Sequence, residues 1–283
     1  MAEILKGKEV VAAMKEKMIA DVEALQAKGV QPTLAIVRVG ERGDDISYEK
    51  GAMTRCKGIG VEVKNFVLPA DADQDALVKV IDEVNADSSI HGCLLFRPLP
   101  KHIDENFVRN RLAPEKDVDG ITDLSMAGTY ACTELGYPPC TPTACMEILD
   151  HFGIDLTGKK VVVIGRSLVV GKPAAIMAIR KNGTVTVCHT KTKDMAAVCR
   201  EADIVIACAG KAGVVGEGFF KEGQIVIDVG INFDEEGNMK GDVNFEAAEP
   251  VVAAITPVPG GVGTVTTSVL VKHVIDAAKK TVK

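Results

Sequence analysis

An apolar run, Lys160 to Ile164 (KVVVI), leads straight into Gly165-Arg166-Ser167-Leu168-Val169-Val170-Gly171-Lys172-Pro173, and a helical pattern follows. Glycines flanking a strand-to-helix turn let backbone N–H groups approach an anion closely, and the helix dipole favours negative charge there. A dinucleotide pyrophosphate suits such a turn. The spacing is GxxxxxG rather than GxGxxG, so a plain βα turn would use the same glycines. The next strand ends Val187-Cys188-His189-Thr190-Lys191-Thr192, where an NAD enzyme places an acid for the ribose hydroxyls. No acid stands there. Arg166 on the first turn and Thr190 with Lys191 on the second are instead suited to a 2′-phosphate, which makes NADP the expected cofactor. A solvated loop is the plain alternative for Lys191.

These turns need a scaffold that brings adjacent strand ends together. Apolar residues at Val10, Val11, Met14, Met18, Val22 and Leu25 predict an opening amphipathic helix that stops at Gly29. Strand patterns at 33–39, 61–68 and 90–96 alternate with helical ones at 46–57 and 73–86. Segment 97–141 is rich in Pro, Thr and charge, and reads as loops. A helix over 143–152 precedes KVVVI, and strands at 184–187, 203–207 and 224–229 alternate with helices as in a Rossmann-like parallel sheet. A turn-rich stretch and a final helix of 19 residues or so close the chain. The expected fold class is therefore α/β in two domains, because 283 residues are comfortable for two cores.

Composition narrows the function classes. A net charge of −6 with interleaved Lys and Arg argues against a nucleic-acid backbone as partner, so anions must be bound locally. The eight cysteines form no CxxC pair, and several lie in apolar runs such as Ile204 to Ala209, the pattern of reduced, buried thiols. No signal-peptide stretch opens the sequence and no segment reaches the roughly 18 apolar residues of a spanning helix. The cytoplasm, without membrane partners, is the expected compartment.

PPCTP (138–142), VVVIGRSLVVGKP (161–173), VCHTKT (187–192), VIDVGIN (226–232), GDV (241–243) and TPVPGGVG (256–263) occur in one order. Ser47-Tyr48, the segment His91 to Pro100 and EKDVDG (115–120) precede them. Together these resemble the methylenetetrahydrofolate dehydrogenase/cyclohydrolase family over essentially the whole chain. The resemblance implies a folate-binding domain at 1–141, to which helix 264–283 returns, and an NADP domain at 142–263. It implies an active site in a cleft between them, tetrahydrofolate derivatives as substrates, and a homodimer. In this likeness Tyr48 stacks on the folate and Asp119 hydrogen-bonds the pterin, as suits an acid facing a ring with adjacent N–H donors. An Asx turn and an ordinary packed tyrosine are the plain alternatives. Gly165, Arg166, Ser167, Thr190 and Ile231 correspond to NADP contacts. Pro257 to Gly263, with Pro259, Gly260 and Gly261, corresponds to a loop beside the cleft.

Two departures bear on chemistry. The family's YxxxK reads Tyr48-Glu49-Lys50-Gly51-Ala52, and Phe96 stands where a glutamine assists that lysine. Lys50, the nearest candidate for a catalytic amine, is offset from Tyr48 by about 200° around a helix against about 40° for position 52. Smaller changes are Thr264-Val265 for Pro-Met and Thr190 for Ser. Hydride transfer to a nicotinamide relies on positioning and electrostatics, whereas methenyl hydrolysis needs an activated water and a proton donor. Dehydrogenation is expected, with weakened hydrolysis to 10-formyltetrahydrofolate. The competing readings are an NADP-linked dehydrogenase of another substrate, which leaves EKDVDG and PVPGGVG unexplained, and a non-catalytic folate or nucleotide binder.

Overall fold

A computed structural model describes residues 1–282. The chain begins with β1 (Glu3–Ile4), α1 (Gly7–Gln26), β2 (Thr33–Val39), α2 (Gly43–Lys57), β3 (Glu62–Leu68), α3 (Gln74–Ala86) and β4 (Gly92–Leu95). Next come α4 (Glu105–Arg111), a 3-10 turn at Pro114–Lys116, α5 (Asp123–Ala131), α6 (Cys140–His151), β5 (Lys160–Ile164), α7 (Gly171–Arg180) and β6 (Thr184–Cys188). It closes with α8 (Met195–Arg200), β7 (Ile204–Ala207), β8 (Ile225–Asp228), β9 (Asn232–Phe233), β10 (Met239–Lys240), α9 (Phe245–Ala248), β11 (Ala254–Ile255) and α10 (Val262–Thr281).

The elements fall into two compact units. One comprises Met1–Ala12 with Thr141–Thr266, the other Ala13–Cys140 with the chain from Thr267 on. The second unit is built on a parallel sheet of order β3-β2-β4. Central β2 (TLAIVRV) is buried at every position, as a near-continuous apolar strand must be when helices cover both faces. Leu77, Ile81 and Val84 repeat at helical spacing on α3 and enter the core with Val37, Leu95 and Val108. The Asp73 side chain starts α3 by accepting the Ala76 N–H at 2.8 Å.

The first unit carries a six-stranded parallel sheet of order β1-β11-β8-β7-β5-β6. After β5 the chain crosses to β6 on one side and then returns to β7 on the other, so the order reverses at β5. That switch point puts the turns after β5, β6 and β7 along one carboxyl edge, where open α/β sheets bind ligands.

Two sequence expectations change. Segment 97–141 holds α4, the 3-10 turn and α5, each too short for visible periodicity. Their caps were the readable signal: Asp104 accepts from Phe107 N at 3.1 Å and Thr122 Oγ1 from Ser125 N at 3.1 Å. The division at 141/142 also misplaced the N-terminus, because β1 pairs with β11 (Glu3↔Ala254, Ile4↔Ile255) in the first unit's sheet. A two-residue strand is specified by its partner and has no pattern of its own. Of the final helix expected at 264–283, α10 covers Val262–Thr281, and Lys283 lies outside the described residues.

One ion pair fastens α2 to the sheet. Glu49 accepts from Arg38 Nε at 2.7 Å and from Asn65 Nδ2 at 3.0 Å, while Arg38 also donates to the Gly40 carbonyl. Both charges are buried, so loss of one leaves the other uncompensated. Glu49→Gln is expected to lower unfolding free energy by about 3–5 kcal/mol, read from urea denaturation. A loss below about 1 kcal/mol would show that α2 is held by packing alone.

Candidate active site

Tyr48 lies on the face of α2 opposite the solvent-exposed Lys50, adjacent to the buried Glu49. Its ring is 37% exposed and meets Phe96 edge-on, with centroids 5.9 Å apart and planes at 84°. The hydroxyl end is desolvated, which, with Asp119 and Cys140 nearby, raises its pKa, against a hydrogen bond with Thr267. It is a neutral donor at physiological pH.

Asp119 follows the 3-10 turn in the KDVDG loop. Burial and then the neighbouring Asp117 push its carboxyl up to about 6, while a Cys140 hydrogen bond and the Arg97 charge oppose them. The loop is fixed from within by Asp117, whose carboxylate accepts from Ile121 N at 2.9 Å and Thr122 N at 2.7 Å. Gly120 (φ 69°) is required here, because a Cβ would come within 2.6 Å of Pro139 N. The PPC segment is therefore packed on the KDVDG turn, and the Cys140 thiol donates to the Val118 carbonyl, 3.3 Å away, one residue before Asp119. Tyr48 and Asp119 are thus brought together in one corner, with a flat aromatic face beside a carboxylate that is ionised above about pH 6.

The position expected to hold a lysine is Ala52, 0% exposed in the core. Lys50 is corrected as a catalytic candidate: it points into a surface groove of about 590 Å³ shared with Lys15, Thr54 and Arg55. Two residues of helical rotation separate it from Tyr48, as the angular argument requires. Arg97 is engaged by Glu105, Nη1 to Oε1 at 3.4 Å, on the first turn of α4. The groups that act on the Tyr48 hydroxyl are Asp119, Cys140 and Thr267.

In the other unit, Gly165 adopts φ 134° and a Cβ there would lie 2.3 Å from the Cys208 carbonyl oxygen. A Cβ on Gly171 would lie 2.3 Å from the Gly165 oxygen. Gly165 thus admits the chain after β7, and Gly171 admits the Gly165 backbone, so the turn closes on itself across the six-residue spacing. Ser167 Oγ accepts from Val170 N at 3.1 Å and Gly171 N at 3.4 Å, so this hydroxyl organises the start of α7. β5 and β6 pair in register through Ile164↔Cys188, and Arg166 and Thr190 stand two residues beyond each strand's end. Arg166, Thr190 and Lys191 are exposed, and the Arg166 guanidinium makes no hydrogen bond or ion pair among the described residues. The residues fit a pyrophosphate turn flanked by a free cation.

Beyond β8, Ile231 is 58% exposed and borders a recess of about 270 Å³ with Gly230, Met239, Pro259, Gly260 and Gly261. Two buried carboxylates that the sequence reading did not single out shape this edge. Asp228 accepts from Gly230 N (2.9 Å), Asp242 N (3.0 Å) and Val243 N (3.0 Å). Asp242 accepts from Ala209 N (2.6 Å), Gly210 N (2.9 Å), Lys211 N (2.9 Å) and Asn232 Nδ2 (3.0 Å). Desolvation still holds Asp228 up at about 6. A Cβ on Gly241 would meet Asp228 Oδ2, and one on Gly230 would meet Asp242 N. The order Asp-x-Gly followed by Gly-Asp was the available signal for a reciprocal clasp.

The descriptions "Tetrahydrofolate dehydrogenase/cyclohydrolase, catalytic domain" and "Tetrahydrofolate dehydrogenase/cyclohydrolase, NAD(P)-binding domain" match residues 5–119 and 139–282. "Bifunctional protein FolD" of Carboxydothermus hydrogenoformans is 52% identical over 281 residues, covering 99% of this chain and 98% of that protein. The solved bifunctional FolD methylenetetrahydrofolate dehydrogenase/cyclohydrolase of Campylobacter jejuni has a TM-score of 0.96 at 37% identity, covering 99% of each chain. The Trypanosoma brucei enzyme, solved with NADP cofactor and inhibitor, has a TM-score of 0.93 at 34% identity, covering 100% of this chain and 99% of its own. With both domain descriptions in order and half the residues shared over full length, the chain belongs to the tetrahydrofolate dehydrogenase/cyclohydrolase family.

Proposed function

We propose that the chain oxidises 5,10-methylenetetrahydrofolate to the 5,10-methenyl form with NADP, and hydrolyses that product to 10-formyltetrahydrofolate only weakly. The carrying observation is a retained Tyr48–Asp119 corner in which Ala52 and Phe96 replace an amine and its amide partner. Bound NADP supplies a hydride acceptor. Tyr48 offers its ring to the folate, and Asp119 accepts from the pterin N–H groups. Gly165, Ser167 and the start of α7 would hold the pyrophosphate, Ile231 would be a further NADP contact, and Arg166 with Thr190 and Lys191 would meet the 2′-phosphate. Removing a hydride leaves a delocalised cation on the folate, so positioning suffices. Attack of water needs proton transfer, which Ala52 and Phe96 do not provide. The buried, free cysteines support a reducing compartment, the cytoplasm, and family membership supports a homodimer.

Arg166→Ala is expected to raise KM for NADP roughly ten- to hundredfold with little change for NAD, the worth of one charge-assisted contact. Equal effects on both cofactors would remove Arg166 from the 2′-phosphate.

The carboxyl of Asp119, raised by burial, is charged only above about pH 6. KM for methylenetetrahydrofolate is expected to climb as pH falls through about 6, and Asp119→Asn to abolish that limb. An acid limb unchanged in the Asn variant contradicts the assignment.

Ala52→Lys with Phe96→Gln is expected to raise methenyl hydrolysis by roughly two orders of magnitude while moving the dehydrogenase rate much less. Wild-type hydrolysis keeping pace with oxidation, and lost on Lys50→Ala or Arg97→Ala, would show that the proton-transfer group had migrated.

A further inference from the structure

The turn that follows β6 is closed by His189 through backbone and ring. His189 N–H donates to Thr192 Oγ1 at 2.9 Å and the His189 carbonyl accepts from Thr192 N at 2.8 Å, which puts Thr190 and Lys191 at the tip. The ring adds a further closure, because Nδ1 accepts from Lys191 N at 3.1 Å. A backbone N–H only donates, so Nδ1 presents its lone pair and the ring is the neutral Nε2–H tautomer. A protonated ring would set a second N–H against that of Lys191. Gly165 N donates to the Cys188 carbonyl at 2.9 Å, which ties this turn to the glycine turn that carries Arg166.

A side chain that accepts the N–H two residues further on does the work of an Asx turn. Elsewhere this chain gives that work to carboxylates: Asp87 accepts from Ser89 N at 2.8 Å, Asp155 from Thr157 N at 2.9 Å and Asp234 from Glu236 N at 3.1 Å. After β6 an imidazole makes the same bond. The difference is charge. An aspartate at this position would close the turn as well, but would put a negative charge beside Thr190 and Lys191, at the strand end where NAD enzymes keep an acid. The neutral ring closes it without that charge, while Arg166, Thr190 and Lys191 remain exposed.

We propose that His189 is a positioning residue that sets cofactor selectivity: as an uncharged acceptor it fixes the Thr190–Lys191 tip for a 2′-phosphate, at a place where a carboxylate would repel one. The inference rests on the reading that this edge receives the 2′-phosphate. Losing the ring bond frees the Lys191 N–H and loosens the tip, a loss that NADP feels and that NAD, with no phosphate there, does not. Adding a charge repels the phosphate even when the turn keeps its shape.

The test is steady-state kinetics with NADP and with NAD on His189→Leu, His189→Asn and His189→Asp beside Arg166→Ala, together with ¹⁵N NMR of the His189 ring nitrogens in the cofactor-free wild type. His189→Leu should raise KM for NADP roughly three- to tenfold, the worth of one lost hydrogen bond, with KM for NAD and kcat within about twofold. His189→Asn, whose Oδ1 accepts from Lys191 N as in an Asx turn, should return KM for NADP to within about twofold of wild type. His189→Asp keeps the acceptor and adds the charge, so KM for NADP should climb roughly tenfold or more while KM for NAD does not rise. The wild-type ring should carry its proton on Nε2, a result that needs no variant to fold. A folded His189→Leu with KM for NADP unchanged, equal effects of His189→Asp on both cofactors, or a ring protonated at Nδ1 overturns the proposal. An unchanged His189→Leu beside an Arg166→Ala that loses NADP alone strikes His189 and leaves the 2′-phosphate reading standing. Equal effects on both cofactors in every variant strike that reading, and the proposal with it.

Discussion

The Asp119 carboxyl sits where desolvation and Asp117 both oppose its charge, and the neighbouring groups decide whether that charge persists at physiological pH. Its pKa lies above the unfolded value, so the stability contributed by the protonated form is present below about pH 4 and lost as pH rises through about 6. Ionised Asp119 is thus retained against folding stability. The loop around it is correspondingly over-determined. Asp117 takes two backbone N–H groups, Gly120 admits the Pro138–Pro139 backbone, and Val118 is clamped from β4 and α10. Tyr48 is held to the same corner through α2, whose Glu49 is locked to Arg38 on β2.

The nucleotide side solves a related problem with backbone. Gly165 and Gly171 occupy space that any side chain would fill, so the turn after β5 can close tightly and leave its N–H groups for an anion. Asp228 and Asp242 draw the ends of β7 and β8 and the loop before α9 into one clasp, setting the edge on which Ile231 and the Pro257–Gly263 loop are displayed. Among the described residues Arg166 has no hydrogen-bond or ion-pair partner, at the edge where the 2′-phosphate is expected, which leaves it available to a ligand.

The α/β elements were legible wherever burial imposed a period: β2, α3, β5 and α10 follow from apolar spacing, and the turn after β5 from its glycines. What escaped was set by partners distant in sequence. β1 exists because β11 accepts it, and α4 and α5 are nucleated by Asp104 and Thr122 within a segment whose composition reads as loop. At the site, Tyr48, Asp119 and Arg166 could be singled out from their motifs, and helical geometry alone turned Lys50 away from the tyrosine. His273 carries no motif. It lies on α10, and its contact with the Val118 carbonyl, more than a hundred residues away in the chain, has no sequence signal. Cys140 was visible within PPCTP, but its contact with the Val118 carbonyl was not.

Under the proposed function, Ala52 and Phe96 separate the two reactions, since oxidation depends on positioning and hydrolysis on proton transfer. The most direct measurement is a single progress curve with purified protein, methylenetetrahydrofolate and NADP, following NADPH and methenyltetrahydrofolate together. The account predicts that the two rise in step and that the methenyl product accumulates. Absence of NADPH, or NADPH formation with 10-formyltetrahydrofolate appearing as fast and no methenyl intermediate building up, would contradict it.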